Sequence, residues 1–159
     1  MNKCRKHSVN TGVDKLLRLV AVPMLPDGPA RPHRLRALQV GRGCDILVKL
    51  TELRKSDPQE LTKLLARLRK MAEVSGEVKL STVKRLGNRG LVQIAGNSCR
   101  VFCFYDQDSI TIVCVDLFHI GSGNKAKNQN AAIDKAESLM NRWRSAEPVP
   151  DQSDLRLEL

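Results

Sequence analysis

Residues 91–117 read LVQIAGNSCRVFCFYDQDSITIVCVDL, and this stretch decides the fold. It divides into three short apolar runs separated by two turn-forming clusters, Gly96-Asn97 and Asp106-Gln107-Asp108, the signature of antiparallel strands joined by tight connections. Residues 101–105 are apolar or aromatic throughout, as expected of a central strand covered on both faces. The only basic side chain of the stretch, Arg100, opens that strand. A guanidinium carried on a strand is held rigid, and its fork of donors is oriented in advance to meet a phosphate.

Upstream, residues 79–86 read as a further strand before the Gly87-Asn88 turn, so the meander has four strands, near 80–86, 90–95, 99–106 and 109–118. Ile46, Leu50 and Leu53 recur at helical spacing and predict a helix over 44–55. Asp57 then stands as N-cap, Pro58 at the first helical position and Glu60 at the capping-box position of a second helix over 57–74. Its stripe of Leu61, Leu64, Leu65, Leu68, Met71 and Ala72 faces a core, and Lys63, Arg67 and Lys70 lie off the stripe. A closing amphipathic helix carries Ala132, Ile133, Ala136, Leu139, Met140 and Trp143. The expected architecture is α+β: two N-terminal helices packed on a four-stranded antiparallel meander sheet, followed by a C-terminal helix. Its core is Leu61, Leu64, Leu65, Leu68, Leu91, Val101, Cys103, Ile112 and Cys114.

With 159 residues the chain is expected to form one domain, at 41–145, between a basic extension at 1–40 and a polar tail at 146–159. Pro23, Pro26, Pro29 and Pro32 crowd the extension, which carries eight Lys and Arg against two Asp. That composition predicts a loosely ordered segment with a short helix near 13–22. The five cysteines show no zinc spacing and read as reduced thiols, so no metal and no cofactor are expected. Neither a membrane-spanning run nor a secretory leader is recognisable, which predicts a soluble cytoplasmic protein.

Charge narrows the function. There are 27 Lys and Arg against 17 Asp and Glu, a formal net charge of +10, which favours a polyanionic partner. Between Val78 and Tyr105 no Asp or Glu occurs, while Lys79, Lys84, Arg85, Arg89 and Arg100 all do. A second acid-free interval, 117–133, carries His119, Lys125 and Lys127. The chain has no nucleophile elbow, HExxH, Walker loop or dinucleotide fingerprint, which argues against a conventional hydrolase.

The two helices, the basic strand Thr82-Val83-Lys84-Arg85-Leu86, the strand start Gly90-Leu91, the Arg-led aromatic strand 99–105 and the apolar strand ending in Phe118 together resemble the RelE/HigB-type toxins of bacterial type II toxin-antitoxin systems, in the RelE/ParE superfamily. The resemblance covers roughly residues 44–144. It implies a metal-independent mRNA endonuclease, or mRNA interferase, that acts on mRNA at the ribosome, inhibits translation and is neutralised by a cognate antitoxin. Arg100 matches the family's basic residue on the central strand, and Lys84 or Arg85 its lysine region. Where relatives carry a His-Gly-Phe-like stretch and paired lysines, this chain has Asp116-Leu117-Phe118-His119.

RNA cleavage of this kind needs the 2′-hydroxyl to lose a proton, the phosphate to be stabilised and the 5′-oxygen to gain a proton. The catalytic candidates are Arg100, Lys84 and His119; the RNA-binding candidates are Arg85, Arg89, Lys79, Lys125, Lys127 and Tyr105. Two alternatives stand beside the interferase. One is a noncatalytic module of the same fold that binds an antitoxin or RNA, and the other a gyrase-directed toxin of the ParE type.

Overall fold

The computed structural model describes residues 16–28, 31–74, 83–87, 89–107, 110–120 and 125–145, with side chains of the last segment from 128 onward. Six strands and three helices follow one another: β1 (Leu17–Ala21), β2 (Arg34–Val40), α1 (Asp45–Ser56), α2 (Pro58–Glu73), β3 (Val83–Arg85), β4 (Val92–Ala95), β5 (Cys99–Tyr105), β6 (Thr111–His119) and α3 (Lys125–Ser145). The strands form one mixed sheet in the order β1-β2-β6-β5-β4-β3. The antiparallel meander is therefore only four of six strands, and the expectation of a four-stranded antiparallel sheet behind two N-terminal helices is overturned. Two strands precede the helices, and β2 lies parallel to β6 with Leu35 opposite Ile112 and Ala37 opposite Cys114.

Both extra strands come from the segment read as a loose extension. Where a short helix was expected near 13–22, the described part is strand β1, paired antiparallel with β2. Of the charges that hid β2, Arg34 donates to the Thr111 hydroxyl at 3.2 Å and Arg36 is neutralised by a tertiary ion pair. Arg36 is buried and donates to Asp27 through Nη1 at 3.0 Å and Nη2 at 2.8 Å, and to the Leu35 carbonyl. The lysines at 125 and 127 lie on α3, with side chains outside the described residues; Lys79, residues 1–15 and the tail 146–159 lie outside them altogether.

Each face of the sheet carries its own core. On one face α1 and α2 lay Ile46, Leu50, Leu64, Leu68 and Met71 against Leu35, Ile94, Val101, Cys103, Ile112 and Cys114. On the other, Ala136 and Met140 of α3 cover Leu38, Phe102, Phe104, Val113 and Val115. This double cover is why β5 and β6 read as nearly unbroken apolar runs. Of the core expected from sequence, all but the partly buried Leu65 are buried. Helix α2 begins as its capping signal requires, with the Asp57 side chain accepting from Glu60 N at 3.1 Å and Pro58 in the first turn.

The Asp27–Arg36 pair gives the fold an acid-sensitive contact. The hydrogen bond from Arg36 holds the Asp27 carboxyl below its ordinary value of 3.8. A carboxylate with a depressed folded-state pKa adds stability above its ordinary pKa and loses it as pH falls through the folded value. Asp27 is half exposed, so solvent screening limits the contribution to below about 1 kcal/mol. Urea midpoints at pH 7 and pH 3 are expected to converge for Asp27→Asn relative to wild type. Parallel losses in the two proteins would remove the pair from the acid response.

Candidate nucleic-acid interface

Strand alternation sorts the candidate residues onto the two faces of the sheet. Lys84 is opposite Gln93, and Gln93 accepts from Gln129 of α3 at 3.1 Å, so Lys84 stands on the α3 face of edge strand β3 and is exposed there. Arg100 lies between Cys99 and Val101, which both point into the α1/α2 core, and its cross-strand partner Phe118 packs with α3. Arg100 thus shares the α3 face with Lys84. Its other partner, Ala95, is two residues along β4 from Gln93, the partner of Lys84, which places the two Cα atoms roughly 12 Å apart. Side chains of this length can converge across that gap on one ligand.

Arg100 is anchored as well as placed. Its Nη1 donates to the Gly96 carbonyl at 2.9 Å and the Cys99 carbonyl at 3.0 Å, while Nε and Nη2 make no such bond among the described residues. The turn it braces is crowded from the opposite side by α2. Arg67 Nη1 donates to the Ala95 carbonyl, and the buried carboxylate of Glu60 presses on the α-carbon of Gly96, where any Cβ would collide with it. A side chain at 96 would require the Glu60 carboxylate to move away.

His119 does not join this pair. It is opposite Cys99, one residue beyond the Arg100–Phe118 pairing, and therefore on the α1 face. There it is exposed and lines a cleft of about 350 Å³ with Lys49, Glu52, Ser56 and Leu117. Beside that cleft Lys49 Nζ donates to the buried Asp116 carboxylate at 2.7 Å and to the Leu117 carbonyl at 3.1 Å. The imidazole and the Arg100 guanidinium belong to opposite sides of the sheet, so a single phosphate held on the α3 face is out of line for His119.

The RNA-binding candidates also divide. Arg89 reaches across to α3 and pairs with Asp134 at 2.6 Å and Glu137 at 2.8 Å, tying the β3–β4 hairpin to the helix. Arg85 and Tyr105 instead come together, 20 residues apart in sequence, in the wall of a cleft that also takes Arg144 from the last turn of α3. Arg144 was not singled out from sequence. Its signal was the Arg142-Trp143-Arg144 run at the end of the apolar helix stripe, which reads equally as basic residues complementing a helix C-terminus.

The four described cysteines offer no competing chemistry. Burial pushes the Cys44 thiol to about 11 and Cys114 to about 12, and raises Cys103 and Cys99 as well. These thiols stay protonated near neutral pH and are poor nucleophiles. Among the described residues, no group of three or more His, Cys, Asp or Glu is placed to hold a metal ion, and no helix is long and apolar enough to cross a membrane. Comparison with family models, with curated proteins and with solved structures gives no match to this chain.

Proposed function

We propose that this chain is a toxin of the RelE/HigB type, an endoribonuclease that cleaves mRNA at the ribosome and is held in check by an antitoxin. The observation that carries the reading is the shared face of Lys84 and Arg100, in a stretch from Val78 to Tyr105 that contains no carboxylate side chain. On this reading the phosphate undergoing attack lies on the α3 face. Arg100 stabilises its added negative charge through Nε and Nη2, and Lys84 neutralises the backbone beside it. The bracing of Arg100 by two carbonyls fixes its fork before the substrate arrives, so little reorganisation is needed as charge develops. On this reading His119 stands on the opposite face, and the proton that leaves the 2′-hydroxyl and the one gained by the 5′-oxygen pass through Lys84 or solvent water.

The position of His119 favours a second reading, a noncatalytic module of the same kind that binds RNA or an antitoxin, because it leaves the Lys84–Arg100 face without a histidine among the described residues to exchange protons. Induction of the chain in a bacterium without its partner separates the two. The interferase reading expects growth and amino-acid incorporation to stop within minutes of induction. A folded, abundant and harmless protein would contradict it and leave the binding module.

A further inference from the structure

Helix α2 and Arg100 lie on opposite faces of the sheet, yet both hold the same short turn. Arg100 Nη1 donates to the carbonyls of Gly96 and Cys99, and the Gly96 amide donates to that Cys99 carbonyl at 2.8 Å, so the guanidinium is tied to both ends of the turn. Its cross-strand partner on β4 is Ala95. From the other face, Arg67 Nη1 donates to the carbonyl of this same Ala95, and the Glu60 carboxylate lies against Gly96. Glu60 and Arg67 stand seven residues apart on α2, about two helical turns, and so project from one side of the helix.

Packing alone does not account for this arrangement. Glu60 is 3 % exposed, and its Oε1 has no hydrogen-bond partner among the described residues. A buried carboxylate oxygen left unsatisfied works against stability, and an apolar side chain of similar length would fill the space without that penalty. Gly96 does not take a positive φ, so a glycine there serves the close approach of the carboxylate rather than a left-handed backbone. Both features act at one place, the peptide beside Arg100.

We infer that Glu60 and Arg67 are positioning residues for Arg100: they fix the Ala95–Gly96 peptide from the α2 face and through it set where the guanidinium points on the α3 face. The inference rests on the reading of Arg100 as the cation that meets the phosphate, and it names what aims that cation. Nη1 is engaged by the two carbonyls, so the directions of Nε and Nη2 follow the turn. A displaced turn therefore carries the fork away from the phosphate it has to meet. Misplacement by about 1 Å, caused by a change remote from the chemistry, can lower a rate on the order of 10²-fold.

The test is the Arg100 Nε–Hε signal of the full chain in nuclear magnetic resonance, identified by its loss in Arg100→Lys and read beside the urea midpoint. In the wild-type protein its heteronuclear NOE is expected to be that of an ordered group. Arg67→Met, which removes the donor to Ala95, and Glu60→Ala, which empties the space under Gly96, should each lower the NOE toward that of a mobile side chain. Arg67→Lys, which keeps a donor for the Ala95 carbonyl, should retain most of the order. Ile46→Val, a buried change in α1, should lower the midpoint and leave the NOE in place, which separates positioning from a general loss of stability. Should Glu60→Ala fail to unfold cooperatively, Glu60→Asp, one methylene shorter, takes its place. An unchanged Arg100 NOE in Arg67→Met or in the Glu60 variant, or an equal fall in Ile46→Val, would overturn the inference. On translating ribosomes the Arg67→Met and Glu60 variants are expected to lower kcat about tenfold with KM little changed. A wild-type chain that leaves mRNA intact removes the interferase while the positioning contacts stand; cleavage with an Arg100 NOE indifferent to these variants does the reverse.

Discussion

A chain lacking residues 1–40 is expected to show no cooperative unfolding transition and to bind hydrophobic dyes. Strand β2 sits between β1 and β6, so the deletion removes two strands and leaves the interior strand β6 as an open edge. It also removes seven buried large apolar side chains: Leu17, Leu19, Val20, Val22, Leu25, Leu35 and Leu38. Burying each contributes roughly 1.5–3 kcal/mol, and together, at about 10–21 kcal/mol, they are as large as the ~5–15 kcal/mol by which a typical domain is stable. Helix α1 would keep β6 and α2 but lose its packing on Leu35 and Ala37. Urea unfolding followed by circular dichroism decides the matter. A soluble 41–159 chain with a single sigmoidal transition would mean that the first forty residues are an appendage after all.

That expectation reverses what the same residues suggest in isolation, and the reason is physical. The Leu61-Leu64-Leu68 stripe and the Asp57-Pro58 start are local signals, complete within one helix, and α2 forms where they place it. The meander is similarly local, since the connections at 96–98 and 106–110 set the pairing of neighbouring strands. Strand β2 has no such signal. Arg34-Leu35-Arg36 reads as polar, and Arg36 becomes a buried strand residue only because Asp27 is folded back beside it. Its parallel partner β6 lies more than seventy residues downstream, a pairing that no local pattern encodes.

The site was legible to a similar depth. Once the turn near Gly96 fixes the β4–β5 register, alternation puts Lys84 and Arg100 on one face, and the same rule applied at Phe118 and His119 puts the histidine on the other. That Arg89 is engaged by Asp134 and Glu137 required the position of α3, as did the entry of Arg144 into the cleft with Arg85.

Arg100→Ala carries the second large effect. Removing one donor aimed at developing charge commonly lowers a rate by about 10² to 10³. Arg100 also braces the Gly96 and Cys99 carbonyls, so the substitution is expected to cost about 1–3 kcal/mol of stability as well. The two consequences separate experimentally. The variant should unfold cooperatively at lower denaturant yet remain folded under assay conditions, and Lys84→Ala, at an exposed edge position with little to lose in packing, should reduce activity without shifting the midpoint.

The most direct measurement is cleavage of a defined mRNA on translating ribosomes by the purified chain, mapped by primer extension. The wild-type protein is expected to cut the message, Arg100→Ala to cut it about 10² to 10³ times more slowly, and His119→Ala to cut it at close to the wild-type rate. An intact message in the presence of folded wild-type protein would contradict the assignment of this chain as an mRNA endonuclease.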